Sequence, residues 1–79
     1  MASNRAIYHV VPNADGKRWV VTIEQSDSFR EEYDTKDEAV RAAKKMARLQ
    51  EPSQVKVHKQ DGNMEYESTY GDDPGRSPG

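Results

Sequence analysis

Tyr33-Asp34-Thr35-Lys36-Asp37-Glu38-Ala39-Val40 decides the fold of this chain. Thr35 and Glu38 have capping-box spacing. The Thr hydroxyl accepts from the backbone N–H of Glu38, and the Glu38 carboxylate reaches back to the N–H of Thr35. This predicts a helix from about Lys36 to Gln50 and separates the strands before it from the strands after it. Ala39, Val40, Ala43, Met46 and Ala47 then fall on one stripe, with Arg41, Lys44, Lys45 and Arg48 opposite. Asp37 and Glu38 in the first turn and cations in the later turns suit the helix dipole, and Asp37 is spaced to pair with Arg41. The stripe is mostly alanine, so the helix can approach a sheet closely while Trp19, Phe29 and the tyrosines supply bulk.

Upstream, Ala6 to Val11 is β-branched and aromatic and reads as a strand ended by Pro12. Asn13 to Gly16 is a turn with Gly16 free to take a positive φ. Arg18 to Glu24 is a second strand, with Trp19, Val21 and Ile23 on one face and Val20 and Thr22 on the other. In the first strand, either Tyr8 and Val10 point inward or Ile7, His9 and Val11 do. The former is preferred because it leaves His9 with the polar set. Gln25 to Asp27 reads as a turn, and Ser28 to Tyr33 as an edge-like strand with a charged outer face. Downstream, Pro52 stops the helix. Gln54 to His58 alternates, with Val55 and Val57 inward and Lys56 and His58 outward. Asp61-Gly62 is a hairpin turn, and Met64 to Tyr70 is the last strand.

The order β-β-β-α-β-β predicts an α+β, two-layer fold: one antiparallel sheet with a single helix packed on one face. A chain of 79 residues has room for one domain, expected over 6–70, between a flexible N-terminus (1–5) and a disordered Gly/Pro-rich tail (71–79). A core of this size stabilises by only roughly 3–5 kcal/mol, which makes self-association an effective way to add burial. The absence of cysteine excludes disulfides, thiolate nucleophiles and Cys-ligated metal. No signal-peptide pattern or membrane-length apolar run is visible, so the expected location is cytoplasmic, with no membrane partner. Twelve basic and 14 acidic residues, a net charge of −2, argue against a strongly electrostatic nucleic-acid binder but allow a local basic patch.

Tyr8-His9-Val10-Val11-Pro12, Trp19-Val20-Val21, Asp34 to Val40, Val55-Lys56-Val57-His58 and Asp61-Gly62 together resemble a small bacterial protein family known as domain of unknown function 2188. The resemblance spans about Ala6 to Tyr70 and implies a short, cytoplasmic, stand-alone bacterial or phage-like protein. It implies no activity, cofactor or catalytic residue.

Few residues suggest chemistry. His9 and His58 would neighbour each other across the sheet, but two histidines fall short of a zinc ligand set, and the plainer reading is two half-exposed polar residues. Glu31, Glu32, Asp34, Glu65 and Glu67 read as a solvated face rather than an acid–base pair, which needs a cleft. Ser26, Ser28, Ser53 and Ser68 sit in no nucleophile elbow. The best candidate contact with an anion or nucleic acid is the helix face Arg41, Lys44, Lys45 and Arg48, extended by Lys36, Lys56 and Lys59 if the sheet turns that way. An ordinary solvated helix face accounts for the same charges. Tyr8, Trp19, Tyr66 and Tyr70 could stack bases, yet most read as core. The β-branched strip Val20 and Thr22 on the open sheet face suggests a protein contact. The expected function is a small non-enzymatic interaction module, engaging a second copy or another protein through the open sheet face or a sheet edge. The alternative is weak nucleic-acid binding by the basic helix face. No cofactor or metal is expected.

Overall fold

The computed structural model describes residues 6–24 and 26–71. The expected flexible N-terminus lies outside the described residues, as do residues 72–79 of the expected tail. The elements run β1 (Ala6–Pro12), β2 (Trp19–Ile23), β3 (Ser26–Tyr33), α1 (Lys36–Leu49), β4 (Ser53–His58) and β5 (Met64–Tyr70). They form an α+β fold with a single five-stranded sheet in the order β3-β2-β1-β4-β5.

The sheet is mixed, which corrects the wholly antiparallel expectation: β1 and β4 run parallel, and the other neighbours are antiparallel. The reason is directional. A helix following a strand returns the chain to the end where that strand began, so β4 sets off in the direction of β3. Because β3 is two antiparallel steps from β1, β4 is also parallel to β1 and adds to its free edge.

Thr35 caps the helix with extended backbone, its Oγ1 accepting from the Glu38 N–H at 3.1 Å. Ala39, Ala43 and Ala47 are fully buried, and Val40 and Met46 pack beside them. They rest on Tyr8, Val10, Trp19, Val21, Val55 and Val57, which confirms Tyr8 and Val10 as the inward residues of β1. Each buried valine contributes about 1.5–3 kcal/mol relative to exposure. Ser53 is the one polar residue fully buried among those described. Its hydroxyl donates to the Ala47 carbonyl at 2.6 Å, tying the start of β4 to the end of the helix. The helix covers β1, β2, β4 and part of β3, and β5 lies beyond its main footprint.

Two turns hold the hairpins. Asp15 Oδ1 accepts from the Lys17 and Arg18 amides, contacts that hold its carboxyl below the usual carboxylate range. Gly16 and Gly62 both take the positive φ that the turns require, 71° and 96°. The structure also lengthens β3 toward its start: Ser26 pairs with Ile23 across an irregularity, where the sequence suggested a turn. Among the described residues, no helix is long and apolar enough to cross a membrane.

Candidate functional site

The basic helix face is less unified than its sequence suggests. Arg41 is held by Asp37 at 3.1 Å, the expected i,i+4 pair. Lys44 is half-buried and stands over the Tyr66 ring of β5, 5.6 Å from its centre. Lys45 and Arg48 remain exposed. Two of the lysines expected to widen the patch, Lys36 and Lys56, do not converge on it. Lys36 pairs with Glu65 and stands over Trp19, 5.4 Å from the ring centre. Lys56 alternates with the buried Val55 and Val57, so it belongs to the opposite face of the sheet.

That opposite face is organised by polar contacts. Val20 lies on it yet is 0% exposed, while Thr22, the other residue of the expected strip, is half-buried. Val11 and Glu32 are its cross-strand partners. Arg18 reaches Glu32 at 3.4 Å and Asp34 at 3.8 Å, and Arg30 reaches Glu32 at 3.5 Å and Asn13 at 2.7 Å. Of the aromatic residues considered for base stacking, Tyr8 and Trp19 lie in the core and Tyr70 packs against it. Burial pushes the Tyr8 hydroxyl above its ordinary pKa, and Tyr33 moves the same way through burial and the nearby Glu31 charge.

His9 and His58 do meet. His9 Nδ1 lies 3.1 Å from His58 Nε2, with the rings 5.3 Å apart and tilted by 35°. His9 Nε2 lies 2.9 Å from Glu24 Oε1, and His58 Nδ1 lies 3.1 Å from the Gly62 carbonyl. The three contacts form a chain between a carboxylate and a carbonyl, both acceptors, so each contact needs its own hydrogen. Which ring nitrogen donates in each contact depends on the tautomer, and Glu24 closes one end of the chain. Its carboxyl is lowered below its usual range, first by the hydrogen bond from His9. The arrangement clasps β2, β1, β4 and the turn into β5. No group of three or more metal-binding side chains occurs among the described residues.

The two sheet edges remain. β3 carries Arg30, Glu31 and Glu32 in its second half, with Arg30 and Glu32 in ion pairs. β5 pairs with β4 alone. It carries two of the three large hydrophobic side chains exposed among the described residues, Met64 at 51% and Tyr66 at 40%; the third, Leu49 at 76%, ends the helix. Its register with β4 holds from Tyr66 to Tyr70 and slips once, because Val57 faces Tyr66 while His58 faces Met64. Glu65 is thus the inserted residue of a β-bulge, turned so that its carboxylate meets Lys36 at the start of the helix. Sequence periodicity predicts β5 as a strand, but neither its place at the edge nor the bulge is written in its local pattern.

Residues 8–70 match the sequence model of a family described as an uncharacterized protein conserved in bacteria, DUF2188. The chain belongs to this family. The match runs from the inward Tyr8 of β1 to Tyr70 at the end of β5, so both histidines, the basic helix face and the exposed edge all lie within it. Neither the curated proteins nor the solved structures yield a match.

Proposed function

We propose that this protein is a non-enzymatic protein-interaction module that receives a partner strand along the outer edge of β5. One observation carries the reading: β5 is a seven-residue edge strand, paired on one side only, with Met64 and Tyr66 exposed along it. Edge strands present a row of free backbone donors and acceptors, and a partner strand satisfies them while side-chain neighbours set its identity. The other candidate surfaces have less to offer. The carboxylates, arginines and histidines of the open face bind one another, and Val20 beneath them is closed off.

The test is selection of displayed seven-residue peptides on the folded protein, followed by mapping of their contacts through backbone amide shifts. The reading predicts that selected peptides shift the amides of Glu65 to Thr69. Peptides that map to α1 or β3, or a failure to select any, would contradict it. The nucleic-acid alternative uses Arg41, Lys44, Lys45 and Arg48, and is supported by the exposure of Lys45 and Arg48. It predicts binding that falls steeply with salt and is abolished by Lys44→Glu with Arg48→Glu.

A further inference from the structure

We infer that the strand received by β5 is β5 of a second copy of this chain, antiparallel to the first about a two-fold axis through Ser68. The inference rests on the edge-pairing reading above and adds to it both the partner and the register. Pairing between β5 and β4 is regular from Tyr66 to Tyr70, and Ser68 is the middle of that stretch. A two-fold axis at Ser68 sets each residue opposite the one equally far on the other side. Tyr66 faces Tyr70 of the second copy, Glu67 faces Thr69 and Ser68 faces Ser68. Aromatic and hydroxyl cross-strand pairs stabilise a sheet, and no like charges stand directly opposite each other.

Neighbouring registers are worse. An axis at Glu67 sets that carboxylate against itself, which is unfavourable. An axis at Thr69 sets Tyr70 opposite Ser68 and loses both tyrosine pairs. Axes between residues fail because backbone groups alternate in direction along a strand, so an outward pair would face an inward one. Within its own chain, Glu67 has Lys56 as its cross-strand neighbour.

The axis stands normal to the sheet, so both helices stay on one face. The tyrosines at the margin of each helix face each other across the joint, with a Lys44 beside each Tyr66. The alternative of β5 against β3 of another copy is head-to-tail and does not close. It would also bring Arg30, Glu31 and Glu32 into the joint. A closed pair doubles the sheet and adds burial to a domain small enough to need it.

The chain has no cysteine, so Ser68→Cys supplies a single thiol per molecule. Residues directly opposite in an antiparallel pair have Cα atoms about 4.5–5.5 Å apart, within disulfide range. The experiment compares oxidative crosslinking of the full chain carrying Ser68→Cys with one carrying Ser28→Cys on β3, and measures the solution mass of the unaltered chain by sedimentation. The inference predicts a two-chain mass that persists at high salt, and crosslinking through position 68 at least about tenfold faster than through position 28, as pre-association raises effective concentration. Equal crosslinking rates, or a single-chain mass at every concentration, would overturn it. If either appears while selected peptides still shift the β5 amides, the second copy is wrong and the edge-pairing reading stands. If the peptides fail as well, both fall.

Discussion

The two edges of this sheet solve one problem in opposite ways. β3 ends the sheet with Arg30, Glu31 and Glu32, and Arg18 and Arg30 hold Glu32. Charges at an edge deter a further strand, because pairing would bury them. β5 ends it with Met64, Tyr66, Ser68, Thr69 and Tyr70 and two carboxylates: Glu65 at the bulge, paired with Lys36, and Glu67, the cross-strand neighbour of Lys56. The helix lies over the β3 side and the centre while β5 stays outside its main footprint. A small domain whose one edge is tied up in arginine–carboxylate pairs, and whose other edge exposes Met64 and Tyr66, has a direction in which it can be extended.

The contrast can be broken most strongly from the core. Trp19 lies in β2 beneath the helix and is 8% exposed, whereas Tyr66 on β5 is 40% exposed. Trp19→Ala is expected to destabilise the domain by about 3–5 kcal/mol in urea unfolding. Tyr66→Ala should cost only about 1 kcal/mol or less, because its ring is not part of the core that the helix covers. Similar losses at the two positions would mean that β5 contributes to the fold as the centre does. Next in size is removal of the charged guard: Arg30→Val with Glu32→Val should make β3 a second adhesive edge. The double variant would then form assemblies larger than any that the unaltered chain forms at the same concentration. An unchanged mass distribution would show that charge is not what closes β3.

A smaller effect is expected from Lys36→Met, which releases Glu65 while keeping an aliphatic stem over Trp19. The pair is partly exposed, so the stability change should be within about 1 kcal/mol. Amide exchange should quicken around the bulge and leave β3 unaffected. The smallest effect concerns pH. The Glu24 carboxyl is depressed in the folded chain by His9, so its contribution to stability is present above the ordinary carboxylate pKa and is lost as pH falls through the folded value. His9→Ala should let the Glu24 carboxyl rise toward its usual range, as followed by carbon-detected titration. A Glu24 titration unmoved by that substitution would separate the carboxyl from the histidine pair.

Much of this arrangement was legible in the residues themselves. The Thr35–Glu38 cap, the alternation in β2 and β4, the two glycine turns and the inward choice of Tyr8 and Val10 all follow from local periodicity and backbone chemistry. What local patterns could not supply was direction and neighbourhood. The parallel pairing of β1 with β4 follows only when strand directions are counted through the helix. The bulge sets the Glu65 carboxylate against a distant Lys36, and Ser53 can be buried because the helix end offers the Ala47 carbonyl. The basic face divided for the same reason: Lys44 lies over a β5 tyrosine that helical periodicity cannot place. The histidines were recognisable as potential neighbours, but their link to Glu24 and Gly62 depends on the sheet register and the turn.

The most direct test of β5 pairing with a second copy of itself is site-resolved amide hydrogen exchange of the unaltered chain at low and high protein concentration in the same salt. The outward-facing amides between Tyr66 and Tyr70 are expected to gain protection as concentration rises, while those of β3 keep the same rates. Protection that grows on β3, or a β5 edge whose exchange ignores concentration, would contradict that pairing.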